Sequence, residues 1–134
     1  MSLDDAKGTG QRILIADDDP VTRSVLSQCF KNDGFNVVTA ADGVEACSLA
    51  LVEKLDIVLV DLLLPRRDGY SVLLYLRSRE TTRETPVLVL SGESSGEHPA
   101  IARTLGANGY ITKPFDHAAV LKSAKEILSQ TWKG

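Results

Sequence analysis

Asp56-Ile57-Val58-Leu59-Val60-Asp61 is a run of four apolar residues that passes directly into an acid. A continuous apolar run of this length reads as a strand buried on both faces, the kind found inside parallel sheets. Asp61 then stands at the carboxyl end of a central strand, where open α/β sheets place their ligands. A lone Asp after a strand is ordinarily a turn or cap acid. The residues that the rest of the chain brings beside it give a different reading.

Outward from this run, four further strands are expected. Arg12–Ala16 leads into Asp17-Asp18-Asp19-Pro20, and the others are Phe35–Ala40, Pro86–Ser91 and Gly109–Thr112. Helical spacing fills the intervals. Asp19 caps a helix opened by Pro20, with Val21, Val25, Cys29 and Phe30 on its inner face and Gly34 closing it. A second helix begins at Asp42 or Gly43 with Val44, Cys47, Leu51 and Val52 inward. A third runs Tyr70–Arg79 over Val72, Leu73 and Leu76, after a loop punctuated by Pro65 and Gly69. A weaker helix, His98–Leu105, follows the small polar loop Gly92–Gly96 and ends at Gly106. The last, capped by Asp116, buries Val120, Ala124, Ile127 and Leu128. Five β-α repeats with wholly apolar strands imply an α/β fold, a parallel sheet covered by helices on both faces with right-handed crossovers. Every polar residue ending a strand is thereby delivered to one edge: Asp17, Asp18, Asp61, Ser91 and Lys113.

Composition agrees with one soluble domain. The chain has 134 residues, 43% hydrophobic and 25% charged, with 15 basic and 18 acidic side chains and a net charge of -3. Residues 1–11 read as a flexible leader and 12–134 as the domain. The charge balance offers no basic stripe for direct nucleic-acid binding, and neither a membrane span nor a signal-peptide core is present. Cys29 and Cys47 read as small core residues of a reduced, cytoplasmic protein.

Carboxylates gathered at one edge repel by on the order of a few kcal/mol at an effective dielectric of about 20. A cation among them removes that penalty, and a purely oxygen donor set selects a hard one. Magnesium fits best, since it takes few carboxylates and keeps positions for water or phosphate oxygens. Lys113 is expected to add a fixed positive charge on the far side, and Ser91 a hydroxyl donor. An aspartate nucleophile with a metal, a lysine and a hydroxyl donor is a complete set for accepting a phosphoryl group.

In Ile13–Asp19, Asp56–Pro65, Asp68-Gly69, Val87–Gly92 and Gly106–Phe115 the chain resembles the receiver domain of two-component response regulators, matched from about Arg12 to Thr131. The resemblance implies a (βα)5 doubly wound, flavodoxin-like fold with strand order 2-1-3-4-5. It implies Asp61 as phosphoacceptor, Asp18 as direct metal ligand and Asp17 as ligand through water. The carbonyl of Leu63 would complete the Mg2+ coordination, and a cis Lys113-Pro114 bond would carry Lys113 to the phosphoryl group. A histidine kinase or histidine phosphotransfer protein is the implied donor. Ser91 and Tyr110 are the implied switch, the hydroxyl moving and the ring turning inward. Phosphorylation is expected to shift the equilibrium only in part, because near-complete conversion needs about 5.5 kcal/mol of differential stabilisation. The implied output surface, also the candidate homodimer contact, is the fourth helix with the last strand and last helix.

Several positions depart from the commonest pattern. Arg66-Arg67 stands where small and apolar residues are usual, either as solvated charge or steering the phosphodonor. Leu63 and Glu93 occupy positions that influence hydrolysis of the phosphoryl group, with Leu63 a candidate shield. His98 and His117 fall outside the constellation. Four readings compete. A receiver fits all five edge residues. A haloacid-dehalogenase-type phosphohydrolase needs an acid where Leu63 stands. A nucleotide binder needs a Gly- or Ser/Thr-rich cradle where Asp17-Asp18-Asp19-Pro20 stands. A pseudo-receiver would have lost part of the set.

Overall fold

The computed structural model describes residues 10–92 and 97–131. The elements follow in order β1 (Arg12–Ala16), α1 (Pro20–Asn32), β2 (Asn36–Ala40), α2 (Gly43–Val52), β3 (Ile57–Asp61), α3 (Gly69–Ser78), β4 (Val87–Ser91), α4 (Glu97–Thr104), β5 (Gly109–Thr112) and α5 (His117–Thr131). All strand pairs are parallel and their order is β2-β1-β3-β4-β5. The expected α/β class and strand order are therefore observed. Most of the leader and residues 93–96, with Glu93, lie outside the described residues.

Side-chain alternation along the strands divides the interior in two. Ile13, Ile15, Ile57, Leu59, Leu88 and Leu90 face α1 and α5, meeting Leu26, Phe30, Val120, Ala124 and Ile127. Leu14, Ala16, Val58, Val60, Val87 and Val89 face α2, α3 and α4, meeting Ala46, Ala50, Val72, Leu73, Leu76 and Ala102. The larger strand side chains thus serve the face with two helices, and smaller ones serve the face that packs three. Every residue of β3 and β4 is buried. No helix among the described residues is long and apolar enough to cross a membrane.

Helix ends follow their sequence signals. Asp19 accepts from the backbone N–H of Val21 and Thr22, with Pro20 as the first helical residue. Asp42, Asp68 and Asp116 accept likewise from Glu45, Ser71 and Ala118. Gly34 closes α1 at φ 94°.

Two inner faces differ from the sequence reading. In α1 the buried residues are Leu26, Ser27 and Phe30, whereas Val21 is 68% exposed. The large side chains Leu26 and Phe30 take the core, and Phe30 meets Phe35 edge-on at 5.2 Å. Phe35 accordingly lies just before β2 and not in it. In α2 the inward residues are Gly43, Ala46, Cys47 and Ala50, while Val44, Leu51 and Val52 face out. This segment is apolar almost throughout, so periodicity carries little information there. Close packing of α2 then favours its small residues.

The revised face of α1 sets a contrast measurable by urea unfolding. Leu26→Ala is expected to cost about 2–5 kcal/mol, and Val25→Ala no more than about 0.5 kcal/mol, as for surface substitutions.

Candidate phosphoacceptor site

Register brings the acids together. Ala16 pairs with Val60 across β1 and β3, so Asp17 and Asp61, the next residues, emerge side by side. Asp61 pairs with Leu90, and Ser91 with Thr112, which places Ser91 and Lys113 successively along the same edge. The Lys113 backbone N–H donates to the Ser91 carbonyl at 2.7 Å, continuing the β4–β5 ladder. The Lys113-Pro114 bond is cis, as expected.

Asp17, Asp18 and Asp61 each offer a carboxylate oxygen within 4.8 Å of the others. Asp17 and Asp61 are buried, Asp18 is exposed, and Ser91 is fully buried. Lys113 supplies the fixed positive charge. Its Nζ lies between the two buried acids, 2.8 Å from Asp17 Oδ2 and 2.8 Å from Asp61 Oδ2. Two buried carboxylates demand a counter-charge, and a long flexible stem lets the ammonium supply it directly.

Backbone donors fix the remaining oxygens. Asp19 N–H donates to Asp17 Oδ1 at 2.9 Å, and Leu63 N–H to Asp61 Oδ1 at 3.1 Å. Arg23 Nη1 donates to the Asp17 carbonyl at 2.7 Å. Burial raises the Asp17 pKa above the ordinary carboxylate value, outweighing its hydrogen bonds to Lys113 and Asp19. For Lys113, burial alone acts to lower the pKa. The hydrogen bonds and charges of Asp17 and Asp61 outweigh it and hold the ammonium above its usual value.

The donor set suits a magnesium-sized ion. Its carboxylate oxygens lie within 4.8 Å of one another, an all-oxygen set that could hold a hard cation. One acid of the cluster, Asp18, is exposed to solvent.

The family model of the response regulator receiver domain matches residues 13–125. The chain belongs to the response regulator receiver domain family. It is 36% identical over 120 residues to the DNA-binding dual master transcriptional regulator RpaA of Synechocystis, covering 90% of this chain and 50% of that protein. To the transcriptional regulatory protein CpxR of Escherichia coli K12 it is 33% identical over 120 residues, again 90% and 50%. The receiver thus spans about half the length of these relatives. The solved receiver domain of Francisella response regulator 1452 superposes with TM-score 0.86 at 29% identity, covering 92% of this chain and all of that one. That of the Pseudomonas aeruginosa sensor histidine kinase PA1611 superposes with TM-score 0.82 at 30% identity, covering 90% and 99%, and has a magnesium ion in its active site cleft.

Around the pocket, the remaining residues fall as follows. Tyr110 is half-buried against the α2–α4 side of the core. The Leu63 side chain is 61% exposed. Arg66 and Arg67 turn toward α2 and α3: Arg66 Nη1 lies 3.2 Å from Asp42 Oδ2, and Arg67 Nη1 lies 3.3 Å from Cys47 Sγ. Neither pairs with a pocket acid among the described residues. Arg66 has φ 68°, a left-handed conformation that costs a non-glycine residue about 1–2 kcal/mol. His98 lies outside the acid cluster, as expected, but has a defined partner. Its Nδ1 is 2.5 Å from Tyr70 Oη and the rings stack at 6.1 Å. That tie between α3 and α4 had no sequence signal, since the two residues are 28 apart.

The raised pKa of Asp17 has a definite sign for stability. A folded-state value above the unfolded one means that this group's contribution to stability is greatest below about pH 3.8, the unfolded value, and is lost as pH rises through the folded value. Asp17→Asn is therefore expected to raise the melting temperature at pH 7 in EDTA, by roughly 2–8 °C per kcal/mol relieved. The gap should narrow as pH falls through the carboxylate range, and scanning calorimetry against pH reads it.

Proposed function

We propose that this receiver accepts a phosphoryl group on Asp61 from the phosphohistidine of a histidine kinase or histidine phosphotransfer protein. The observation that carries the reading is the pair of buried carboxylates held by one ammonium, with a third carboxylate beside them. An Asp61 oxygen attacks phosphorus as the phosphorus–nitrogen bond of the donor breaks and the imidazole departs. Lys113 already touches Asp61 and is placed to follow the charge onto the phosphoryl oxygens. The Ser91 hydroxyl, ending the neighbouring strand, donates to another of those oxygens. Asp17, Asp18, Asp61 and the carbonyl of Leu63 would hold Mg2+, which when bound neutralises charge developing on the transferred group.

Beyond self-phosphorylation and its reversal we assign no turnover of external substrates. Leu63 stands where a haloacid-dehalogenase-type phosphohydrolase would carry its general acid. The signal leaves through Ser91, Tyr110 and the α4–β5–α5 surface. A shallow hollow between β5 and α5, lined by Tyr110, Ile111, Ser123, Glu126 and Ile127 among others, suits contact with a second copy or with an output segment. In a longer protein organised like RpaA or CpxR, that output would be transcriptional, with nucleic acid bound outside this receiver. Donor and pocket would meet in the cytoplasm.

Incubation with acetyl phosphate and magnesium is expected to add the mass of one phosphoryl group in an acid-stable, base-labile linkage. Asp61→Asn should abolish the adduct, and EDTA should suppress it. An adduct at another residue, or one formed equally well in EDTA, would overturn the assignment. Lys113→Ala should slow phosphorylation by at least about a hundredfold, the scale for loss of one charge-stabilising group, as read by stopped-flow or quenched-flow kinetics.

A further inference from the structure

The segment from Asp61 to Gly69 carries the acceptor, and its shape is held from outside the pocket. Pro65–Arg67 forms a three-residue turn closed by the Arg67 N–H donating to the Pro65 carbonyl at 2.7 Å, with Arg66 at φ 68°. Glycine or asparagine enters that conformation more readily than arginine does. The turn itself therefore does not select the residue found there; its side-chain contacts do.

Three ties converge on this turn. Arg66 Nη1 donates to Asp42 Oδ2 at 3.2 Å while Asp42 Oδ1 accepts from Glu45 N–H at 2.8 Å. One carboxylate thus caps α2 and grips the loop together. Arg67 Nη1 donates to Cys47 Sγ at 3.3 Å, and its guanidinium stands 5.3 Å from the Tyr75 ring centre on α3. The Gly43 N–H donates to the Pro65 carbonyl at 3.2 Å, and a Cβ at 43 would lie 1.7 Å from the Arg67 oxygen. No side chain fits between the start of α2 and this loop.

We propose that Arg66 and Arg67 are positioning residues that clamp the loop to α2 and α3 and so hold Leu62–Leu64 and Asp61 in register for a divalent cation. The route to the pocket is short. Leu63 N–H donates to Asp61 Oδ1 at 3.1 Å, and Gly69 N–H to the Leu62 carbonyl at 2.9 Å. A Cβ at 69 would lie 2.5 Å from the Asp61 backbone carbonyl oxygen, so the loop's far end packs against the main chain of the acceptor residue. The loop thus meets Asp61 twice, at its carboxylate through Leu63 and at its main chain through Gly69. The proposal rests on the receiver reading for the identity of the ion.

The sign of the effect separates clamp from charge. Deleting positive charge near a cation site would, by field alone, tighten cation binding. Loss of a clamp weakens it. Mg2+ is titrated by calorimetry into the unphosphorylated native chain, Arg66→Ala, Arg66→Gly, Arg67→Met and the Arg66→Ala/Arg67→Met double variant, with urea unfolding in EDTA alongside. The double variant is expected to bind Mg2+ about tenfold more weakly, the scale for loss of an outer support of a metal site. Arg66→Gly should be more stable than Arg66→Ala yet lose affinity equally, because it relieves the backbone without restoring the tie to Asp42. Unchanged or tighter binding in the folded Arg66→Gly and Arg67→Met variants overturns the clamp and leaves the receiver reading standing. Absence of Mg2+ binding by the native chain overturns both.

Discussion

Lys113 Nζ sits 2.8 Å from an oxygen of each of two buried carboxylates, Asp17 and Asp61, and the rest of the molecule is arranged around that contact. Two like charges in a desolvated pocket are unstable unless a cation lies against both. The lysine meets this need at the end of a strand that the fold must deliver to the same edge. Asp18, exposed beside them, brings the cluster to three carboxylates against one ammonium, two negative charges in excess. That surplus negative charge suits a cluster that could hold a divalent ion.

The sheet turns this electrostatic requirement into a geometric one. β1 and β3 are neighbours in register, so two acids 44 residues apart emerge side by side (61 minus 17). β4 and β5 continue the ladder, which links Ser91 to Lys113 through a backbone hydrogen bond and places Tyr110 on the strand that carries the lysine. The Asp61 carboxylate thus touches Lys113, whose backbone N–H is tied in turn to Ser91 at the end of β4. The Tyr70–His98 contact ties α4 to α3.

The sequence showed most clearly what depends on continuous apolar runs and strand-end acids. Ile57–Asp61 and Val87–Ser91 are buried at every position, and their identity alone required a covered parallel sheet. Once that sheet is granted, Asp17, Asp61, Ser91 and Lys113 must share an edge. Legibility failed where one-dimensional periodicity does not choose between faces. In α2 nearly every side chain is apolar, and close packing put Ala46, Cys47 and Ala50 inward while leaving Leu51 and Val52 outside. It failed again for long side chains whose direction is set by distant partners. Lys113 reaches between the acids, and Arg66 and Arg67 turn to Asp42, Cys47 and Tyr75. Neither direction is written in local spacing.

An anomalous-scattering experiment on crystals grown with manganese in place of magnesium tests the central claim most directly. A single strong peak is expected at the β1–β3 edge, within bonding distance of carboxylate oxygens from Asp61 and at least one of Asp17 and Asp18, with Lys113 still beside Asp61. An empty edge with the acids still closed around the ammonium, or a peak bound elsewhere on the chain, would contradict it.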